Sequence, residues 1–495
     1  MTDRTAQPPS AAPNIVYILA DDMGYGDASC FNPRSAWRTP CLDRMAAEGQ
    51  CYTDAHSTSA VCTPSRYALL TGRYSWRTHL KRGVLRGFSP SLIERGRLTV
   101  PALLQSQGYR TAMFGKWHLG LDWHRTGAEP EQVNYTLPVG GGPLAHGFDT
   151  FRGISASLDM PPYVYFEGDR PVEVPTGTIG DSPSPKLWRA GAISEGFRHE
   201  DVLPELQELA LSYLAQQARA EERKPFFLYL ALAAPHTPIV PTPEFIGRSG
   251  TTGYGDFMLQ VDAFVGRIIE ALDTSGLGRN TLVIFTADNG PAPAGGIAEL
   301  RVFGHDSSGG WRGHKADIYE GGHRVPFIAR WPAVVPAGTR CAEPVTQADL
   351  LATVADLLDV ALPDDAGEDS TSLLPLLQGR ASTLDREAIV HHSENGSFAI
   401  RSGRWKLCLC PGSGGWSYPH PVKDAHLDLP PFQLFDLVAD PAEQTNLAAD
   451  HPDEVRRLGQ LLRSLIDRGR STPGVPPPNP PSVDWPQVAW CDAFA

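Results

Sequence analysis

The chain has 495 residues, 41% of them hydrophobic and 20% charged, which suits one large α/β domain plus a smaller one, or two to three average domains. Its formal net charge of −13 argues against nucleic acid or an anionic membrane as the main partner. There is no apolar run of about 18 residues, so no membrane span is expected.

The first 13 residues lack the apolar core of a signal peptide and are expected to form a short flexible lead. We therefore expect a cytoplasmic protein, or a mature or trimmed form. The eight cysteines include no C-x-x-C pair, which argues against a zinc knuckle and favours reduced thiols.

Three continuous apolar runs, 14–20, 225–234 and 281–286, predict buried parallel strands. Further helices and strands alternate with them. Helices are predicted at 39–49, 64–70, 99–108, 200–222, 257–277 and 348–360, and strands at 51–56 and 111–114. This alternation predicts a mainly parallel or mixed sheet sandwiched by helices.

Residues 122–198 are rich in Gly, Pro and aromatics with little periodicity, and we expect an irregular wall or lid beside a site. After about residue 380, shorter strands are predicted at 388–392, 398–401 and 405–410, with a helix at 453–468. The expected domains are thus 14–380, then a small antiparallel sheet plus helix at 381–470. A Pro-rich extended tail, 471–495, is expected to be held by Trp485 and Trp490.

Polar residues follow each buried strand directly. Asp21-Asp22, His236 and Asp288-Asn289 are expected at one edge of the sheet, where open parallel sheets bind ligands. Oxygen ligands of this kind favour Ca²⁺ or Mg²⁺, and the lack of a His/Cys set argues against zinc. Taken singly, these acids fit a turn, a helix cap or an Asx turn; their recurrence at successive strand ends favours a metal.

A second group of candidates surrounds Cys62-Thr-Pro-Ser-Arg66. Pro64 suits the first turn of a helix, which places Cys62 at the helix N-terminus, where negative charge is favoured, and Arg66 one turn along. A lone cysteine there is more commonly a buried small residue. Lys116 and His118 follow a predicted strand and can face the same cleft, and Lys315 lies in a Gly-rich loop.

In order along the chain, these motifs resemble those of the type I, formylglycine-dependent sulfatases of the alkaline phosphatase superfamily. The matching stretches are Asp21-Asp-Met-Gly-Tyr-Gly-Asp27, Cys62-Thr-Pro-Ser-Arg66, Gly115-Lys-Trp-His-Leu-Gly120, Pro235-His236, Thr286-Ala-Asp-Asn-Gly290, Gly313-His-Lys315 and Glu320-Gly-Gly-His-Arg-Val-Pro326. His314 stands where many relatives have Gly, which affects the expected rim of the pocket.

The resemblance implies an alkaline-phosphatase-like fold and a nucleophile made from Cys62, oxidised to formylglycine by a formylglycine-generating enzyme. It implies Ca²⁺, with Mg²⁺ as the other option, held by Asp21, Asp22, Asp288, Asn289 and an oxygen of the modified Cys62. A local set of cations and a metal would explain how an acidic protein binds an anionic substrate.

The resemblance also implies roles for the remaining residues. Arg66 and Lys116 would steady the formylglycine hydrate and the sulfate, and His236 and Lys315 would face the leaving oxygen of the ester. His118 would take a proton from the remaining hydroxyl, which expels sulfate and regenerates the aldehyde. Ser157 matches a sulfate-contacting position, with Ser155 as its competitor.

The expected function is hydrolysis of an aryl or carbohydrate sulfate monoester, either a small molecule or a saccharide. One alternative is a phosphonate or phosphate ester hydrolase of the same superfamily. A second, from another class, is a catalytically silent protein that binds sulfated glycans; the complete set of acids and cations argues against it, since binding alone needs no oxidisable cysteine.

Overall fold

Ten strands form the large central sheet, in the order β13-β2-β12-β11-β1-β10-β4-β5-β6-β7. The structure, a computed structural model, describes residues 12–184, 186–475 and 485–494. Residues 1–11 of the expected lead and 476–484 of the expected tail lie outside the described residues.

The strands and helices are as follows. The strands are β1 Asn14–Ala20, β2 Gln50–Tyr52, β3 Ala55–His56, β4 Arg110–Lys116, β5 Thr150–Ile154, β6 Phe166–Glu167, β7 Arg170–Pro171, β8 Gly177–Ile179, β9 Gly191–Ile193, β10 Phe226–Ala231, β11 Thr281–Ala287, β12 Phe327–Arg330, β13 Thr339–Cys341, β14 Val345–Thr346, β15 Ile389–His392, β16 Phe398–Ser402, β17 Trp405–Cys408 and β18 Gln433–Asp436. The α-helices are α1 Pro40–Glu48, α2 Cys62–Thr71, α3 Val100–Ser106, α4 Val202–Arg219, α5 Gly253–Thr274, α6 Ile297–Leu300, α7 Glu320–His323, α8 Leu350–Leu357, α9 Leu374–Leu377 and α10 Pro452–Asp467.

Strand β1 shows why the central strands of this sheet have continuous apolar sequences. Its side chains alternate, so that Tyr17 and Leu19 enter the core on one face while Val16 and Ile18 enter the core on the other. Helices α2, α3 and α8 cover the first face, and α1, α4 and α5 cover the second. The predicted sandwich of helices around a mainly parallel sheet is confirmed.

The parallel register brings the ends of the central strands together. Strands β11, β1, β10, β4 and β5 run parallel, with Ala20 opposite Ala287 and Ala231 opposite Gly115. The residues that directly follow β1 and β11, and the last residues of β4, therefore share one edge of the sheet. That edge is where the polar motifs of the sequence fall.

The predicted irregular segment 122–198 contains regular structure that its sequence conceals. Strand β5 extends the parallel sheet, and β6 and β7 continue it as a short antiparallel ribbon. These pieces, with the β8–β9 hairpin, have two to five residues each, too few for alternation to stand out. The expectation of an irregular wall is wrong in this respect.

Two other elements differ from expectation. The strand predicted at 51–56 is two strands in separate sheets, β2 and β3. Helix α5 begins at Gly253, four residues before the predicted start. Glycine disfavours a helical start, but Tyr254 compensates through packing and through its hydroxyl, which donates to Asp27 Oδ2 at 2.6 Å.

The C-terminal antiparallel sheet, β15-β16-β17-β18, packs against α10, as predicted. Tyr74 and Trp76, from the segment after α2, enter the same hydrophobic core. Trp485 and Trp490 both pack on Phe398, at ring-centroid distances of 5.7 and 6.0 Å. Residues 486–494 form a 3₁₀ helix, however, so this part of the expected extended tail is helical.

A buried ion-pair network joins this sheet to the large one. Lys406 on β17 is fully buried, and its ammonium lies 3.0 Å from Glu320 at the start of α7 and 2.8 Å from Glu443. The backbone N–H of Ile318 donates to the carbonyl of Ser413 at 2.7 Å. The segment 315–324 is therefore held from the C-terminal side.

In the described ranges, no helix is long and apolar enough to cross a membrane.

We predict that Lys406→Met lowers the free energy of unfolding by about 3–5 kcal/mol, because two buried carboxylates lose a shared cation. Urea denaturation followed by fluorescence measures this. Arg456→Ala is the matched control, since Arg456 pairs with Asp453 on the exposed face of α10 and should change stability by less than about 0.5 kcal/mol. A loss below about 1 kcal/mol for Lys406→Met would contradict this role of the network.

Candidate active site

The strand ends place the predicted acids and amide at one point. Asp21 and Asp22 directly follow β1, and Asp288 and Asn289 directly follow β11. All four side chains are buried, at 0 to 1% exposure. The backbone N–H of Asp22 donates to Asp288 Oδ1 at 3.2 Å, which links the two strand ends.

Each of the three carboxylates has one cation at hydrogen-bond distance, and Asp21 has Arg66 as a second, at 3.6 Å from its Oδ1. Lys116, the last residue of β4, lies 2.6 Å from Asp21, and Lys315 lies 2.6 Å from Asp22. Arg66, one turn into α2, donates from Nη2 to Asp288 Oδ2 at 2.7 Å and from Nε at 2.9 Å. The six charges sum to zero, which is how they can be buried together.

The pKa values of these acids depend on this pairing. Burial acts to raise the pKa of Asp21, but the positive charges around it, that of Lys116 first and those of His236, Arg66 and Lys315 with it, together outweigh burial and hold that pKa well below its usual value. Burial and the negative charge of Asp21 raise the pKa of Asp288 to about 6, against the opposing effect of Arg66. Of Asp21 and Asp288, Asp21 is therefore the one more firmly held as a carboxylate.

Cys62 is the first residue of α2 and is 2% exposed. Burial raises the pKa of its thiol to about 12, even though Lys116 and Lys315 act to lower it. The helix N-terminus was expected to favour negative charge at this position, but desolvation is the larger effect. The thiol is protonated at neutral pH and is a poor nucleophile as it stands.

His118 has a defined tautomer. Its Nε2 lies 2.8 Å from the carbonyl oxygen of Leu85, which can only accept, so Nε2 carries the proton. Its Nδ1 is buried and has no hydrogen-bond partner among the described residues. Burial and the charges of Lys116 and Arg66 lower the pKa of His118 well below its usual value. The ring is thus neutral, with a free lone pair on Nδ1.

Ser157 and His236 complete the group. The hydroxyl of Ser157 accepts from Lys116 at 3.1 Å and lies 3.2 Å from His236 Nε2. His236 Nε2 is also 3.4 Å from Asp22 Oδ2, while its Nδ1 lies 2.5 Å from the carbonyl of Thr237. The side chain of Ser157 therefore contacts the candidate catalytic residues, whereas Ser155 contacts one of them through its backbone, because its carbonyl accepts from the N–H of His118 at 3.1 Å.

Exposure indicates on which side the site opens. His236 and Lys315 are each 6% exposed, more than the other predicted site residues, which lie at 2% or less. The deep side is lined by Arg66 and Lys116, both at 0%. We call the side on which His236 and Lys315 lie the mouth of the site.

The donor set at this edge of the sheet has the chemistry of a cation site. Asp21 Oδ1 and Asn289 Oδ1 are buried and accept no hydrogen bond in the described part of the chain. One ligand atom each from Asp21, Asp22, Cys62 and His236 lie within 4.8 Å of one another. Two free oxygens beside such a group fit a hard divalent cation. Both oxygens of Asp288 accept hydrogen bonds, from Asp22 and Arg66, and both oxygens of Asp22 accept from Asn289 and Lys315.

Three residues at this edge adopt the left-handed backbone region that non-glycine residues rarely use. They are Asp22 at φ 63°, His118 at φ 56° and Ala316, next to Lys315, at φ 81°. Two others with positive φ, Asp359 and Glu443, lie elsewhere in the described chain. Such backbone strain is concentrated at functional sites, where the surrounding structure enforces it.

Sequence reasoning missed two buried acids beside these residues. Asp317, fully buried, accepts backbone N–H bonds from His314, Trp416 and Ser417 and so positions the Lys315 loop. Asp159 lies two residues beyond Ser157, in the segment that follows β5. For Asp159, the sequence signal was the same as for the other acids, namely a polar residue after a parallel strand. It was missed because β5 itself was not predicted.

Comparison with known proteins agrees with the fold. A sequence profile of the sulfatase family matches residues 13–360. The chain belongs to the type I sulfatase family. It is therefore a sulfuric ester hydrolase, a class of enzyme that cleaves sulfate esters.

Its relatives have several substrates in their names. An N-acetylgalactosamine-6-O-sulfatase of Bacteroides thetaiotaomicron is 36% identical over 93% of this chain and 94% of its own length. Human arylsulfatase A is 35% identical over 92% of this chain and 88% of its own length. Mouse steryl-sulfatase is 32% identical over 94% of this chain and 83% of its own length. A solved structure described under the metabolism of multiple glycosaminoglycans by Bacteroides thetaiotaomicron matches with a TM-score of 0.81 at 34% identity, covering 92% of this chain and 99% of that one.

We predict that an intact Cys62 thiol resists alkylation in the folded protein. At pH 8, with the pKa raised to about 12, only about one thiol in 10⁴ is ionised. The test is iodoacetamide treatment of chelator-treated protein that retains the thiol, followed by peptide mass spectrometry. The same protein in urea is the control, where Cys62 should react fully. Equal rates in the two conditions would contradict the prediction.

Proposed function

We propose that this protein hydrolyses a carbohydrate sulfate ester with a nucleophile derived from Cys62. The observation that carries the proposal is the convergence of three carboxylate–cation pairs on a cysteine that is itself unreactive as a thiol. Such a cysteine needs conversion to act, and the proposed product is formylglycine, whose hydrate attacks the sulfur. A formylglycine-generating enzyme is then the partner during maturation.

Arg66 and Lys116 are proposed to steady the hydrate and the sulfate group on the deep side of the site. They are fully buried and fixed by Asp288 and Asp21, so they need no rearrangement when charge develops in the transition state. Preorganised cations in a site that excludes water are worth 10² or more in rate. Ser157, on Lys116, is proposed to contact the sulfate as well.

The proton transfers are assigned to two histidines. His236 and Lys315 lie at the mouth, where the alcohol of the ester remains while its sulfate enters, and they are proposed to face the leaving oxygen. His236 donates the proton and Lys315 stabilises the charge. His118 then takes a proton at its free Nδ1, from the remaining hydroxyl of the modified Cys62, and sulfate leaves as the aldehyde is restored.

A Ca²⁺ ion is proposed as the cofactor, with Mg²⁺ as the other option. Asp21, Asp22 and Asn289 would hold it through their oxygens, together with the modified Cys62 and Asp288. When bound, the ion supplies positive charge that favours the ionised form of the nucleophile. Asp22 and Asp288 can contribute only by sharing oxygens that already accept hydrogen bonds.

A saccharide is favoured over other alcohols as the group that carries the sulfate, because two of the similar proteins are described by saccharides. The N-acetylgalactosamine-6-O-sulfatase is similar over nearly all of both chains, and the structure with a TM-score of 0.81 belongs to glycosaminoglycan metabolism. The steryl- and aryl-named relatives have similar identities, so the substrate must be tested directly.

We expect turnover of sulfate esters, including N-acetylgalactosamine 6-sulfate, to exceed that of the matching phosphate and phosphonate esters. Assays with nitrophenyl sulfate, phosphate and phosphonate measure the ratio. In the active protein, the Cys62 peptide should have lost sulfur and two hydrogens and gained one oxygen by mass spectrometry.

Cys62→Ala is the control and should lose at least about 10² in kcat, since it removes the nucleophile. Dominant phosphonate activity would favour the phosphonate or phosphate ester hydrolase. An intact thiol in fully active protein would overturn the nucleophile proposed here. Binding of sulfated glycans without turnover, undiminished in Cys62→Ala, would favour the silent binding protein.

We predict that Ca²⁺ stabilises the chelator-treated protein, because it binds the native state only. At about 100 times its Kd, the melting temperature of this 495-residue chain should rise by about 2–4 °C and activity should return. Asn289→Ala should greatly reduce the rise, while the surface variant Arg456→Ala should retain it. A rise with Mg²⁺ alone would identify Mg²⁺ as the ion, and no rise with either would contradict the metal site.

A further inference from the structure

Asp159 is a buried carboxylate with one oxygen left over. Its side chain is 3% exposed, and its Oδ2 forms an ion pair with Arg189. Its Oδ1 is buried and accepts no hydrogen bond from any described residue. A buried, unpaired acceptor is destabilising, and native structures retain one mainly where a ligand, an ion or water satisfies it.

This oxygen belongs to the mouth of the site. Asp159 follows Ser157, which contacts both Lys116 and His236. Burial acts to raise the pKa of Asp159, but the charges of His236, Arg189 and Lys315 outweigh it and lower that pKa. The carboxylate is therefore ionised, and the positive charges that act on it include those of the two residues proposed to face the leaving oxygen.

Arg189 places hydrogen-bond donors beside this acceptor. Its side chain is 48% exposed, so it lies at the rim, just before β9 in the β8–β9 hairpin. The backbone N–H of Arg189 donates to the carbonyl of Asp159 at 3.0 Å. The hydroxyl of Tyr163 lies 3.0 Å from that same carbonyl and 2.7 Å from the carbonyl of Arg189. The pair is thus fixed through its backbone.

We propose that Asp159 and Arg189 determine specificity by recognising a hydroxyl group of the substrate's alcohol. Asp159 Oδ1 accepts from a hydroxyl on the sugar ring that carries the sulfate, and the guanidinium of Arg189 donates to the same or a neighbouring hydroxyl. The inference rests on the proposed function and narrows it to alcohols that bring a hydroxyl close to the leaving oxygen. A steroid or a simple phenol leaves Oδ1 unpaired.

Selectivity follows from that unpaired oxygen. A site built to hydrogen-bond a substrate hydroxyl rejects analogues that lack it far more strongly than an apolar pocket rejects a poor fit. The chain should therefore favour a saccharide sulfate over an aryl sulfate in kcat/KM, although the aryl sulfate has the better leaving group.

The test compares two substrates across three variants. N-acetylgalactosamine 6-sulfate carries ring hydroxyls, and 4-nitrophenyl sulfate has none. For Asp159→Ala, we expect kcat/KM on the saccharide to fall by about 10- to 100-fold more than on the aryl sulfate. Arg189→Ala, which leaves Asp159 in place, should reduce the ratio of kcat/KM on the saccharide to kcat/KM on the aryl sulfate by about 3- to 10-fold. Glu195→Gln, an exposed acid after the same hairpin, is the matched control and should leave the ratio unchanged.

Each outcome is decisive. Equal losses on both substrates in both variants would overturn the inference, because Asp159 would then act only by positioning His236. Wild-type protein that cleaves the aryl sulfate but not the saccharide would overturn the inference and leave the sulfatase chemistry standing. Wild-type protein that cleaves neither would overturn the proposed function itself. If Asp159→Ala fails to fold, the kcat/KM ratio of saccharide to aryl sulfate in Arg189→Ala decides for or against the inference.

Discussion

The mutual neutralisation of three buried carboxylates and three buried cations is the constraint on which the site depends. Each charge alone would cost several kcal/mol to bury, and removal of one partner leaves the other uncompensated. Because Asp21, Asp22 and Asp288 are balanced by Lys116, Lys315 and Arg66, the polypeptide contributes no net charge at this point. A divalent cation added to such a group leaves two positive charges, enough to attract a sulfate ester into a protein whose formal net charge is −13.

Much of this arrangement could be predicted from the sequence because of the parallel register. Continuous apolar runs identify the central strands, and parallel strands bring whatever follows them to one edge. Asp21, Asp22, Asp288 and Asn289 are found together for that reason, and Lys116 ends a fourth strand of the same set. The motif around Cys62 was also placed correctly at a helix start. The protonation state of the Cys62 thiol could not be predicted in the same way, since the burial that raises the thiol pKa comes from residues distant in sequence.

What could not be predicted was structure stabilised by tertiary contacts alone. Strands β5 to β9 are too short for a pattern, and the partners that define them lie elsewhere in the chain. The first turn of α5 contains two glycines and forms because Tyr254 bonds to Asp27 and packs in the core. Asp159 was missed as a direct consequence, since a polar residue after an unrecognised strand has no positional meaning. The roles of all these residues in the reaction stay predictions.

The contact between the segment after Lys315 and the C-terminal part of the chain makes a distant loop a structural part of the site. Ala316 donates its N–H to the carbonyl of Ala60, just before α2, while Ile318 and Asp317 bond to residues 413–417 in the loop between β17 and β18. That loop exposes Trp416 and Tyr418 and lies outside the large sheet. A shift of this loop would therefore move the backbone next to Lys315, while the acids remain on the strand ends of the large sheet. One wall of the site is thus supported by residues 99 and 100 positions away in sequence, the separations of Asp317 from Trp416 and Ser417.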